Sequence, residues 1–191
     1  MNYAKASIAD YLENLSAQTP APGGGSSAAL SAAMAASLIA MVCRFTLGKE
    51  KYKKFDLRLQ AILAEALRGQ QRCLKLLDED IRAYASGDLE KSLYVPLEIC
   101  FLSYDLIKLS KEVLKKGNAR LASDTVLAAG LAEVAYTGAF YYCSVNVKAL
   151  QGTKDRAKKY KNKIARLKSL KKTIKELRKE IEVSFGRSIG R

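Results

Sequence analysis

Residues 20–48 read PAPGGGSSAALSAAMAASLIAMVCRFTLG, and the fold turns on this stretch. Thr19 to Gly25, with two prolines and three successive glycines, is expected to break the preceding helix. Ser26 or Ser27 then supplies an N-cap, and Ala28 to Phe45 continues in strong helix formers. This segment is apolar nearly all round and mostly alanine, so it must be buried on most sides, with neighbours close by. Gly48 stands where a C′ glycine belongs. The apolar run Ala28–Cys43 is shorter than the ~20 residues of a bilayer span. It reads as the central, buried helix of a bundle.

The flanking segments carry helical periodicity. Ser7–Ser16 places Ile8, Tyr11, Leu12 and Leu15 on one face. Lys51–Tyr84 carries a broad apolar face from Phe55 to Ile81 and stops at Gly87. Leu89–Lys116 follows, with Pro96 expected to kink or briefly break it, and Gly117-Asn118 closes it. Ala119–Leu150 is rich in small residues and should pack against the alanine helix. In Lys154–Val183 the steps from Leu167 through Leu170, Ile174 and Leu177 to Ile181 form a heptad seam. No alternating strand pattern, repeat or linker occurs. The expectation is an all-α single domain over residues 1–191, about six helices built around the small-residue helix, with 154–191 as a basic C-terminal helix.

Charge and composition prune the chemistry. Residues 154–191 hold 15 Lys and Arg against 4 Asp and Glu, so +11 of the formal +14 lies there. There is no histidine, which removes imidazole triads and shuttles and the usual zinc sites. Acid–base work falls to Asp, Glu, Lys, Tyr or Cys. Cys43, Cys73, Cys100 and Cys143 are isolated in apolar segments and read as reduced core thiols. Met1–Asp10 is polar, without the apolar core of a secretory leader. The expected setting is the cytoplasm, with no membrane association.

Four segments are candidates for function. Pro22, Gly23, Gly24, Gly25 and Ser26 lead into a helix N-terminus, where free amides and the macrodipole favour an anion. The plainer account is a tight turn. Lys49, Lys51, Lys53 and Lys54 make a basic cluster that is either a solvated helix start or a wall attracting an anionic ligand. In Leu77–Tyr84, Asp80 stands beside the apolar stripe, either paired with Arg82 or a lysine, or partly desolvated and able to carry a proton. In Gly117–Thr125, Asn118, Ser123 and Asp124 read as a helix stop and capped restart, or as the rim of a cleft.

Taken together, these segments resemble the cyclodeaminase/cyclohydrolase family of folate one-carbon enzymes. The resemblance rests on Pro20–Leu30, then Thr46, Gly48, Lys49, Lys51 and Tyr52, then Asp78–Tyr84 and Gly117–Asp124, in order over about residues 8–150. The glycine–alanine block followed by G-K-x-K-Y is the specific part. The sequence departs from the family at Ile81 and Tyr84, and in Tyr141–Val147, where Asn146 is kept but Tyr142 replaces an asparagine.

The resemblance implies closure or opening of the methenyl bridge of tetrahydrofolate, as a formimidoyltetrahydrofolate cyclodeaminase or a methenyltetrahydrofolate cyclohydrolase. It assigns Asp80 as the leading acid–base residue and Asp124 as a second carboxylate. Pro22 to Ser26, Asn118, Ser123 and Asn146 would shape the substrate site, and Lys49 and Lys51 would hold the folate's glutamate tail. It also implies a homodimer with a folate-sized cleft near the subunit interface, no metal, nucleotide or redox cofactor, and a formimidoyltransferase that could be a separate protein. Two rival classes remain: a folate-binding member without catalysis, and a basic helical protein associated with nucleic acid. The tail lacks aromatic interleaving, so nucleic acid is the weaker of the two.

Overall fold

The structure is a computed structural model that describes residues 2–149 and 154–189. The described residues form six α-helices and three short 3-10 turns, with no strand. The helices are α1 (Ile8–Ser16), α2 (Gly24–Thr46), α3 (Asp56–Ser86), α4 (Leu89–Lys116), α5 (Ala122–Ala149) and α6 (Lys154–Ile189). This is the all-α bundle expected.

α2 is the centre. Thirteen of its residues are buried, eight of them Ala28, Ala29, Ala32, Ala33, Ala35, Ala36, Ala40 and the N-terminal Gly25. The small side chains let α3 and α5 approach closely, and α4 also reaches it. By length and apolarity α2 resembles a membrane span, but its alanines face the bundle interior. α2 and α5 run antiparallel: a Cβ on Gly138 would lie 3.7 Å from that of Ala28 near one end, and at the other Asn118 N–H donates to Thr46 Oγ1 at 2.9 Å.

The boundaries follow local chemistry. Ser7 caps α1, accepting from Asp10 N–H at 3.0 Å in a capping box. α2 begins four residues before the expected Ala28, at Gly24. Ser26 is not the cap but the third residue of the first turn. Its hydroxyl accepts from Gly23 N–H at 3.2 Å and donates to Gly23 O at 2.8 Å, stapling the turn into the helix. Gly48 (φ +76°) and Gly87 (φ +65°) end α2 and α3 in the left-handed region. The stretch before α3 is a 3-10 turn, Glu50–Phe55. Pro96 lies inside α4 without breaking it. Asn118 caps a 3-10 turn (Ala119–Leu121) that feeds α5 at Ala122, so neither Ser123 nor Asp124 is the cap. In α6, Leu167, Ile174 and Ile181 are buried, so the heptad seam faces the core.

Candidate functional site

Four helix ends meet at one end of the bundle and enclose a cleft of about 480 Å³. The N-terminus of α2 forms the floor, the last turns of α3 bring Asp80 and Tyr84, α4 brings Leu89 and Ser92, and α5 brings Tyr142, Val145 and Asn146. The volume falls within the range of small-molecule sites.

Local sequence explains the floor. The Ala21-Pro22 bond is cis, and Pro22 is buried behind the turn rather than lining it. Tyr11 of α1 backs the turn from below. Its hydroxyl lies 3.0 Å from Ser26 Oγ and 3.1 Å from Ser27 Oγ. Gly24 and Gly25 are required by close approach. A Cβ on Gly25 would sit 2.6 Å from Asp80 Cγ, and one on Gly24 would overlap the Tyr142 hydroxyl. A Cβ on Gly23 would meet nothing. Two adjacent glycines thus seat two polar groups delivered by α3 and α5.

Asp80 reaches this point because its neighbours point elsewhere. Leu77 is buried in the core. Asp78 is buried and accepts from Tyr3 N–H at 2.9 Å, and Glu79 pairs with Arg72 at 2.6 Å. Asp80 itself makes no ion pair with a described residue; it is neither paired with Arg82 nor with a lysine. Burial pushes its carboxyl up to about 6, and the Ser26 amide, which donates to it, only partly offsets that. A helix N-terminus ordinarily favours a carboxylate, so desolvation outweighs the dipole here. The result is a carboxyl that exchanges its proton near neutrality, the property a general acid–base needs. Asn146 donates from Nδ2 to Ser92 O at 2.5 Å and ties α5 to α4 at the cleft mouth.

The other proposed site residues lie elsewhere. α2 is about 34 Å long at 1.5 Å per residue, and Lys49 and Lys51 follow its far end, exposed. Asn118 is buried there against Thr46, with Ser123 exposed and Asp124 half-buried in the first turn of α5. Tyr52 belongs to the same end, its hydroxyl accepting from Ala119 N–H at 3.2 Å. Within one chain, therefore, Gly23, Gly24, Gly25, Ser26, Asp80 and Asn146 come together, with Pro22 buried beside them. Lys49, Lys51, Asn118, Ser123 and Asp124 form a second group at the opposite end.

Sequence reading missed Leu89, Ser92 and Val145 as cleft residues, and gave Tyr84 no role there. Tyr84 could have been found, because it is one helical turn beyond Asp80. The others depend on how α4 and α5 converge, which leaves no local mark.

The family described as formiminotransferase-cyclodeaminase matches residues 7–87 and 85–166. Methenyltetrahydrofolate cyclohydrolase of Methylorubrum extorquens is 32% identical over 167 residues, covering 75% of this chain and 80% of that protein. Formimidoyltransferase-cyclodeaminase of Rattus norvegicus is 27% identical over 166 residues, and the match covers 75% of this chain but 31% of that longer protein. The crystal structure of formiminotetrahydrofolate cyclodeaminase from Thermotoga maritima superposes with a TM-score of 0.89 over 98% of this chain and 99% of that one, at 20% identity. That likeness is one of fold.

Proposed function

The chain belongs to the formiminotransferase-cyclodeaminase family, and from that premise we propose that it opens or closes the 5,10-methenyl bridge of tetrahydrofolate, with Asp80 as its acid–base group. One observation carries the reading: a half-buried carboxyl titrating at about 6, seated on a glycine floor in a cleft, in a chain without histidine. In the opening direction water adds to the cationic methenyl carbon and must give up a proton. In the closing direction a folate nitrogen attacks the formimidoyl carbon and ammonia leaves. Both steps need one proton moved and negative charge near a delocalised cation, and a carboxylate at this position supplies both.

A homodimer completes the reading. Leu127, Val134 and Tyr141 recur every seven residues on α5, each more than half exposed, and Met34 and Phe45 of the neighbouring α2 are exposed apolar side chains as well. This face runs between the two groups of site residues. A second copy packed antiparallel on it would bring its own Lys49, Lys51, Ser123 and Asp124 to the mouth of this chain's cleft. Lys49 and Lys51 would then meet the glutamate tail, and Asp124 would serve as the second carboxylate. Where the substrate is the formimidoyl form, a formimidoyltransferase must supply it. The family members that join both activities in one name are about three times the matched length.

The test is absorbance in the methenyl-folate band with purified protein. Growth of the band from 5-formimidoyl-tetrahydrofolate, with ammonia release, identifies a cyclodeaminase. Faster loss of the band from methenyl-tetrahydrofolate identifies a cyclohydrolase. Rates equal to the uncatalysed control in both would overturn the assignment.

A further inference from the structure

The second glycine of the floor is fitted to a group that the family chemistry does not assign. Gly24 has no room for a Cβ because the Tyr142 hydroxyl occupies that place. Gly25, the next residue, lacks room for a Cβ because of the Asp80 carboxyl. The hydroxyl and the carboxyl thus rest on consecutive residues of one helical turn, from opposite walls of the cleft. Tyr142 is 41% exposed and lines the cleft, and its hydroxyl has no hydrogen-bond partner among the described residues. Its donor is therefore not spent inside the protein and is open to a ligand or water oxygen in the cleft. By contrast, Tyr11, buried beneath the same turn, spends its hydroxyl on Ser26 and Ser27.

We propose that Tyr142 is a second catalytic residue, specific to the hydrolytic direction, whose hydroxyl donates to the oxygen that water brings to the methenyl carbon. The inference rests on the folate reading above. In ring opening, a C–O bond forms as one water O–H breaks, and that proton passes to the Asp80 carboxylate. Tyr142 O–H donates to the oxygen of the resulting carbinolamine. One C–N bond then breaks, its electron pair stays on nitrogen, and Asp80 returns the proton to it. The carbinol O–H loses its proton to solvent as the formyl C=O forms. One water is consumed and one proton released. Closure of the formimidoyl compound involves only nitrogen and carbon at the reacting centre, so it presents no oxygen to Tyr142. The hydroxyl therefore biases the site toward water chemistry.

The experiment compares wild type, Tyr142→Phe and Asp80→Asn in ring opening of methenyl-tetrahydrofolate, with kcat and KM measured separately above the uncatalysed rate. Tyr142→Phe keeps the ring and its packing, so it tests the hydroxyl alone. The expected result is a fall in kcat of about 100-fold, the usual loss for one oxygen-stabilising donor, with KM within about threefold of wild type. Gly24→Ala should show the same kcat loss, because its methyl would displace the hydroxyl. A Tyr142→Phe protein with wild-type kcat, or one changed in KM alone, overturns the proposal while leaving Asp80 and the folate reading intact. A wild type that does not accelerate ring opening, seen before any variant is made, sinks both.

Discussion

The two ends of α2 both gather candidate residues, under entirely different physics. At its N-terminus two glycines admit a carboxyl and a hydroxyl to contact distance, four helix ends close around them, and one group titrates far from its usual range. At its C-terminus the cations stand in water. Lys49 and Lys51 are exposed, and Lys51 and Lys54 lie over the rings of Tyr52 and Phe55 at 5.6 and 5.0 Å. The polar groups there that are buried, Thr46 and Asn118, are spent on holding α5 to α2. Chemistry needs desolvation and close approach, whereas capture of a charged tail needs neither. On the proposed reading the glycine end holds the acid–base group, the other end holds the cations that would meet the glutamate tail, and a second copy of the chain would bring the two together.

The sharpest break of that contrast is Asp80→Asn. Loss of the acid–base group should lower turnover by about 10²–10⁴-fold. The same change should raise stability, with a definite pH dependence. The carboxyl's pKa is raised on folding, from 3.8 to about 6. Its proton-linked stabilisation is therefore complete below about pH 3.8 and lost as pH rises through 6. Wild type and Asp80→Asn should match near pH 4, while at pH 8 the variant should be more stable by about 3 kcal/mol, from about 1.4 kcal/mol per pKa unit. Thermal melts at the two pH values measure this. A variant destabilised at pH 8 would make Asp80 a structural residue. If Asp80 acts as base in ring opening, wild-type kcat should also rise with pH through about 6.

Next in size is Val134→Glu, at the middle of the exposed apolar stripe on α5. In the proposed dimer it would bury a carboxylate without a partner, which costs several kcal/mol, while in a lone chain it faces water. Light scattering should show a monomer, and turnover should fall at least tenfold because the two ends are no longer joined. A monomeric variant with full activity would mean that the N-terminal end works alone. A smaller effect is expected from Gly25→Ala against Gly23→Ala. The first drives a methyl into the Asp80 carboxyl and should cost about 1–3 kcal/mol, with a clear loss of kcat. The second meets open space in extended backbone and should be nearly silent.

The fold was legible because each helix declares itself by period, cap and stop. The alanine block alone placed the central helix, and Gly48 and Gly87 marked two helix ends where the structure has them. The start of α2 was misjudged because Ser26 looks like a cap, whereas here its hydroxyl turns back to Gly23 from inside the first turn. Within the site, Asp80 and the glycines could be read, since a carboxylate at an apolar boundary and a run of three glycines are both unusual. That Tyr142 lies against Gly24, or that Asn146 binds Ser92 O, depends on the approach of α5 to α2 and α4, over separations of 54 residues and more. That Lys49 and Asp80 are a helix length apart was hidden for the opposite reason, because motifs adjacent in a family pattern need not be adjacent in one subunit.

The smallest effect is the one that most sharpens the contrast between the two ends. Lys49→Gln with Lys51→Gln removes two exposed charges and should leave kcat untouched, since neither touches the reacting atoms of the proposed mechanism. At about 0.5 kcal/mol for each exposed charge, the pair should raise KM for a polyglutamylated substrate about fivefold. The effect should shrink as salt is raised, because screening at about 0.15 M acts over roughly 8 Å. With a monoglutamyl substrate the shift should be smaller, as fewer carboxylates reach the lysines. Equal KM shifts for both tail lengths would place the lysines near the ring system instead. A shift that survives high salt would point to a buried contact, and the C-terminal end of α2 would then belong to the reaction as much as the glycine turn does.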